Sequence, residues 1–393
     1  MTGDVIVIGA GIGGLSCAAK LARNGRKVLV LEKDRHIGGT SYIFKRDGYS
    51  FPMGPLSFSF PNYVRSFLSE VGVEQLITFK RNHFQLIAPS LDIIYSLPLD
   101  AVKENLKRVF VDQSEGLDAF FPELEQLISL TSDIHLWHPA YQLGNKKDKQ
   151  GLGGHIDRSK VDHIGEISRT PGRDMLDRYF SDQRLINFLG SLGTSKPEMS
   201  LLNLAFMWNV MSREGIWSPS CGIHGLSELL AEIVFQCGGE IKLSTPAEAI
   251  LIREGKAVGV KDVRGETYLS EWVVSNVDFK RTFLDLVNSG DIPRESEGIL
   301  DSMAHVPYTG SELCVYLGID PRAVDFGRMN AAHLFFRQRQ ETGKNRPEDL
   351  EDFENREVEI CSWSENEPGL APHGKAGLVL RVNFPYDYFS RFR

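Results

Sequence analysis

The chain has 393 residues, more than one hydrophobic core usually organises, so its length predicts two domains. Hydrophobic residues make up 42% and charged residues 24%, a balance that excludes a disordered chain and a fibrous one. Lysine and arginine total 44 against 52 aspartates and glutamates, and the net charge of −8 argues against a dedicated nucleic-acid binder.

The N-terminus, Met1-Thr2-Gly3-Asp4, lacks the basic region and apolar core of a secretory signal and runs straight into the strand-like Val5-Ile6-Val7-Ile8. Gly9-Ala10-Gly11-Ile12-Gly13-Gly14 then breaks the run. Leu15, Ala18, Ala19, Leu21 and Ala22 follow at helical spacing, Gly25 closes the helix, and Lys27–Leu31 reads as a second strand ending at Glu32. A GxGxxG loop between a strand and a helix is a dinucleotide signature. Gly9 permits the tight turn, Gly11 lets backbone approach a diphosphate, and Gly14 allows close packing of helix on strand. The helix N-terminus supplies N–H donors and a positive dipole end. Glu32 is placed to accept hydrogen bonds from ribose hydroxyls, and its charge disfavours a 2′-phosphate. A glycine doublet, Gly38-Gly39, stands just beyond it. No second dinucleotide loop follows: Gly151-Leu152-Gly153-Gly154 comes after a Lys-rich stretch and reads as part of an exposed loop over 144–160.

Asn62 reads as the N-cap of a helix over Tyr63–Val71. Further helices are expected over Asp100–Val111, Phe120–Leu130, Asp174–Leu189 and Ser200–Met211, making 61–211 a mostly helical insertion. Ser200–Met211 is apolar on nearly every side and too short to span a bilayer; it suits a core helix, a channel wall or a face that dips into a membrane. A helix over Leu226–Gln236 and strands over Gly239–Leu243, Ala247–Arg253, Ala257–Asp262 and Glu271–Ser275 return the chain to the nucleotide domain. Glu312–Ile319, Val358–Trp363 and Ala376–Phe384 read as strands. The aromatics Phe58, Phe60, Phe67, Phe120, Phe121, Trp137, Phe206, Trp208 and Trp217 suit either plain core or a tunnel for an apolar chain.

Five scattered cysteines (Cys17, Cys221, Cys237, Cys314 and Cys361) form no CxxC pair, which argues against a disulfide framework or zinc site and fits a reducing cytoplasmic compartment. His135 and His138 stand at i and i+3 without an evident further ligand, so no metal site is expected. His224 is expected to pack near the nucleotide domain rather than act as a base. No nucleophile–base pair can be read from spacing.

With these motifs in order, the chain resembles the FAD-dependent phytoene desaturase, carotenoid isomerase and retinol saturase family, related to the amine oxidases. The resemblance runs through Val5–Leu31, Gly38-Gly39 and Arg46–Pro55. It continues through Gly215–Pro219 with Gly222, Gly225, Leu226 and Leu230, then Gly238-Gly239, Val273–Asp278 and, more faintly, Pro368–Lys375. It implies an α/β fold: a Rossmann-like FAD-binding domain (1–61 and 213–285) interleaved with a mixed α+β, largely helical substrate domain (62–212 and 286–393). It also implies a cofactor set of Gly9, Ala10, Gly11, Ile12, Gly13, Gly14, Glu32, Lys33, Gly38, Gly39, Thr40, Gly54, Pro55, Ala247 and Asn276. In that set Gly54-Pro55 brings backbone against the flavin and Ala247 meets the adenine edge. Thr40 stands where desaturases carry arginine and leans toward the isomerase and saturase branch. Pro52 replaces a frequent aspartate. The family's glycine-rich C-terminal flavin segment has no counterpart, so the chain is expected to lack one wall of the flavin site.

The expected activity is hydride exchange between FAD and a long apolar polyene or prenyl-type substrate, with a quinone or oxygen as acceptor where the reaction is oxidative and with peripheral contact to a membrane. Flavin carries the chemistry, so no catalytic residue is assigned. Two alternatives share the glycine motifs or the architecture: an amine-oxidase-like enzyme, and a non-catalytic prenyl-lipid carrier.

Overall fold

A computed structural model of the chain describes residues 2–89, 91–131, 158–191, 199–291, 297–306, 311–338, 356–365, 367 and 369–384. His135, Trp137, His138, the 151–154 glycines, Pro368 and nearly all of the expected 144–160 loop lie outside the described residues.

Val5, Ile6, Val7 and Ile8 are all buried, as a strand covered on both faces requires. Their strand, Thr2–Ile8, lies inside a six-stranded sheet. The order is Glu240–Lys242, Val28–Leu31, Thr2–Ile8, Thr267–Ser275, Lys256–Asp262 and Ala247–Arg253. The first four strands run parallel and the last two antiparallel. Ile8 stands level with Leu31 and Ser275, so three parallel strands end together at one edge. Open α/β sheets bind ligands beyond such an edge. The helices Ile12–Arg23 and Gly222–Gln236 cover one face, packing Leu15, Ala18 and Ala22 with Leu226, Leu230 and Val234.

The second six-stranded sheet is ordered Ser311–Ile319, Ala376–Phe384, Val358–Ser362, His333–Phe336, Phe84–Ala88 and Leu91–Ile94. Its neighbours pair antiparallel except His333–Phe336 with Phe84–Ala88, which is parallel. Phe84, Leu86 and Tyr95 on this sheet share the largest core with helices Leu99–Val109, Ser114–Thr131, Gly172–Tyr179, Gln183–Ser191 and Leu201–Asn209. A three-stranded sheet, ordered Phe58–Ser59, Ile216–Pro219 and Phe79–Asn82, lies between the two layers.

Several expectations are corrected. The insertion, expected to be mostly helical, contributes three strands (Phe79–Asn82, Phe84–Ala88 and Leu91–Ile94) in a stretch to which no element was assigned. The helix expected over 63–71 runs Pro61–Glu70, so Asn62 lies inside it; Phe60, at φ 59°, precedes it and Pro61 fills its first position, where a missing N–H costs nothing. The single helix expected over 174–189 is two, because Phe180 is extended and Asp182 accepts the Arg184 N–H at 2.9 Å to start the second. The helix expected over 120–130 begins earlier, at Ser114. Leu201–Asn209, capped by Ser200, ends in a π turn over Val210–Glu214 rather than running on as α-helix to Met211. Phe120, Phe121 and Trp208 are buried in the helical core, not set along a tunnel, and Trp208 Nε1 donates to the Leu189 carbonyl at 2.8 Å.

Candidate functional site

The loop after Thr2–Ile8 is built by its glycines. Gly9 has φ +99°, a conformation side chains resist, and its N–H donates to the Leu31 carbonyl at 2.8 Å. A Cβ on Gly14 would lie 2.0 Å from the Gly9 carbonyl oxygen, so the helix can sit this close only with glycine there. Gly11 differs: a Cβ would meet nothing closer than Asn276 Oδ1 at 4.0 Å. The protein's own packing does not demand glycine at 11, and the space beside it is open. Gly11 is also the N-cap of Ile12–Arg23 and offers no capping side chain, leaving first-turn N–H groups for an anion. Ile12 and Gly13 are exposed at this end.

The glycine doublet closes against the loop. Gly38 N–H donates to the Ala10 carbonyl at 2.8 Å, and a Cβ on Gly39 would approach Gly11 Cα to 3.2 Å. Both doublet glycines have positive φ. Beyond them Thr40 is exposed, and a Cβ on Gly54 would meet its carbonyl oxygen at 2.6 Å; Pro55 is exposed next to Gly54 and Leu56 is buried.

Glu32 is buried at the end of Val28–Leu31. Its Oε2 accepts the Ala10 N–H at 2.6 Å and its Oε1 the Asp34 N–H at 2.9 Å. Each oxygen keeps acceptor capacity, so the carboxylate is oriented by the chain and still able to take ligand hydroxyls. The Glu32 carbonyl accepts the Thr245 N–H at 2.7 Å, which brings Ala247, two residues on, to the same end of the sheet. Lys33 points to solvent. Asn276 N–H donates to the Ile8 carbonyl at 2.9 Å, and its side chain lies over Gly13. One sheet edge therefore gathers Gly9 to Gly14, Glu32, Gly38, Gly39, Ala247 and Asn276, while Thr40, Gly54 and Pro55 continue from it as one run. Openness at Gly11, bare helix N–H groups and a held carboxylate suit a dinucleotide such as FAD.

A cavity of about 360 Å³ behind the doublet, lined among others by His36, Tyr42, Ser41, Ser227, His224 and Phe235, was not legible in the sequence. His36 stacks on Tyr42 at 3.7 Å, and Ser41 bonds Ser227 across 186 positions. His224 Nε2 lies 3.6 Å from Glu367, whose carboxyl is raised by burial. Among the described residues no group of three His, Cys, Asp or Glu could hold a metal ion, and no helix is long and apolar enough to cross a membrane.

The family model for flavin containing amine oxidoreductases matches residues 12–368. Among curated proteins, the chain is 28% identical to a chloroplastic prolycopene isomerase of Daucus carota over 80% of its own length and 52% of that protein. It is 26% identical to a zeta-carotene-forming phytoene desaturase of Myxococcus xanthus over 98% of its length and 72% of that protein. The chain thus spans about half the length of the prolycopene isomerases it matches. An oxidoreductase of Methanosarcina mazei shares the fold at TM-score 0.65 and 18% identity, covering 100% of this chain and 81% of that one.

Proposed function

The chain belongs to the flavin containing amine oxidoreductase family, and from that premise we propose that it binds FAD along Gly9 to Gly14 and Gly38-Gly39 and exchanges hydride with a long apolar polyene of the carotenoid type. The observation that carries the proposal is the stacking of the glycine doublet on Gly11, which leaves one backbone-lined seat for a diphosphate beside a held carboxylate. The substrate class rests on relatives named for carotenoid isomerisation and desaturation.

In this reading Gly11 and the first-turn N–H groups hold the diphosphate, Glu32 accepts from the adenosine ribose, and backbone near Ala247 lies along adenine. Thr40, Gly54 and Pro55 lead the chain from the diphosphate toward the ring end. Lys33, exposed, adds only charge. FAD supplies two-electron hydride exchange with an allylic carbon. The protein's part is to orient the substrate against the ring and exclude water, which large apolar clusters on both sides favour. A net oxidation would need an acceptor such as a quinone or oxygen; an isomerisation would not. Exposed Tyr63 and Phe206, grouped around Phe60, form the aromatic face through which such a substrate would arrive from a lipid surface.

The test is flavin absorbance of the purified chain, followed by incubation with cis and trans polyenes under oxidising and reducing conditions. Bound FAD with polyene conversion supports the reading. Peroxide release from small amines favours an amine oxidase instead, and a chain that binds prenyl lipid but no flavin would be a carrier.

A further inference from the structure

Four strands form the outer edges of the two six-stranded sheets, and three of them are blunted. An uncovered edge offers its unpaired N–H and C=O groups to any other strand, and proteins protect it by shortness, charge or irregularity. Glu240–Lys242 has three residues and a charge at each end. Ala247–Arg253 is broken by two shifts of register and carries Glu248 and Arg253. Leu91–Ile94 has four residues, one of them Asp92.

Ser311–Ile319 has none of these devices. It pairs with Ala376–Phe384 at all nine positions without a shift, and it contains no lysine and no proline. No strand among the described residues pairs with its outer side. Its single charge, Glu312, accepts from Arg381 Nη1 at 3.4 Å, which draws it toward the neighbouring strand and away from the edge. Tyr316 packs on Phe44 and Phe51 of the hairpin formed by Ile43–Arg46 and Tyr49–Pro52, and Cys314 shares that face. Leu313, Val315 and Leu317 alternate onto the other face, beside Val382, Leu380 and Leu378. Val315 is 44% exposed and Leu317 37%. The edge is long, regular and apolar.

Two identical edges related by a two-fold axis meet antiparallel. All nine residues find partners only in the register that sets Val315 opposite itself. Leu313 then stands against the second copy's Leu317, and Ser311 against its Ile319, which carries the apolar band across the seam. On the other face Cys314 meets Tyr316 and Glu312 meets Gly318, so no like charges are opposed. The second copy's Glu312 also arrives at an opposite charge. Tyr49 lies over Gly318, since a Cβ there would come within 2.5 Å of its ring, and Tyr49 pairs across the hairpin with Arg46, which is exposed. A foreign strand would need only the open backbone; the match of side chains in this one register points to a second copy. We propose that Ser311–Ile319 is the seam of a two-fold dimer of this chain, in which two six-stranded sheets join edge to edge.

Sedimentation velocity of the wild-type chain at micromolar concentration should show a species of twice the monomer mass. Val315→Lys, which sets two ammonium groups against each other on the axis, should sediment as monomer. Leu313→Lys should do the same. Adding Leu317→Glu to it should restore the dimer, because each new ammonium then faces a new carboxylate across the seam, and salt should weaken that restored dimer. Thermal unfolding of each variant checks the fold, and restoration by the second substitution separates a lost interface from a damaged strand. A monomeric wild type overturns the inference and leaves the edge to a strand of another polypeptide. A dimer that survives Val315→Lys, or a double variant that stays monomeric, overturns it as well and moves any interface off this strand.

Discussion

His333 Nδ1 lies 2.8 Å from Glu359 Oε1 on the helix-facing side of the second sheet, and both side chains are almost wholly buried. Cross-strand register builds the pair: His333 stands opposite Cys361 and Phe335 opposite Glu359. Arg381 Nε donates to the other Glu359 oxygen at 2.9 Å, Cys361 Sγ is 3.8 Å from His333 Nε2, and the imidazole stacks on Phe84 at 4.6 Å. Burial alone would push the imidazole down. The Cys361 sulfur and the Glu359 carboxylate outweigh it and raise His333 from 6.5 to about 9. Burial pushes Glu359 up, but His333 and Arg381 prevail and hold it below its ordinary value.

The sign of the pH dependence follows from the linkage between protonation and folding. His333 is raised, so its contribution is fully present below pH 6.5 and is lost as pH climbs through about 9. Glu359 is lowered, so its contribution is present above 4.5 and is lost as pH falls through its depressed value. Urea unfolding from pH 6 to 10 should show stability falling across the alkaline half. His333→Ala should flatten that fall and cost about 3–5 kcal/mol near neutrality, the penalty of breaking a buried pair. An unchanged slope in the variant would assign the alkaline loss to other groups.

Glu32→Gln removes the charge. Because both oxygens accept backbone N–H groups, its amide nitrogen must face either the Ala10 or the Asp34 N–H, so one of the two bonds is lost. The other, like those to the ribose hydroxyls, loses its charge assistance. FAD binding should weaken by about 1.5–3 kcal/mol. Isothermal titration with FAD checks this, and equal affinity would move the ribose elsewhere.

The nucleotide half was legible because its signals are local. Strand, glycine loop, helix and Glu32 fall within the first 32 residues, and the tightest glycine contact, Gly14 on the Gly9 carbonyl, spans only five positions. The substrate half was harder to read. Phe84–Ala88 is buried at four successive positions, so it lacks the alternation that marks a half-covered strand. The break at Phe180 was hidden because Met175, Leu176, Phe180 and Leu185 keep an apolar spacing across it. Asn82 and Ser218 stand 136 positions apart, and no pattern along the chain announces that contact.

Trp208 separates a core role from a channel role. It is fully buried, packs edge-on against Phe188 at 6.0 Å and donates to the Leu189 carbonyl. Trp208→Ala should cost about 3–5 kcal/mol by opening a cavity and freeing that carbonyl. Phe206→Ala, on the exposed side of the same helix, should leave unfolding nearly unchanged and weaken association with lipid vesicles. Denaturant titration and vesicle flotation of the two variants give the comparison, and the reverse pattern would invert the two roles.

Gly11 and Gly14 lie three positions apart, and substitution should affect them in opposite ways. At Gly14 an added Cβ would lie 2.0 Å from the Gly9 carbonyl oxygen, a backbone atom that cannot swing aside. Gly14→Ala must therefore pry the helix Ile12–Arg23 from the strand Thr2–Ile8, with loss of folding stability before any ligand is added. At Gly11 the nearest atom is 4.0 Å away and φ is −71°, which any residue adopts. Gly11→Val should consequently fold with a melting temperature close to the parent's, yet fill the seat where a diphosphate would touch backbone and abolish FAD retention. Thermal unfolding without ligand and flavin content after purification, measured on both variants, read the two effects separately. A Gly11→Val protein that kept stoichiometric FAD would remove the diphosphate from this loop, whatever happened at Gly14.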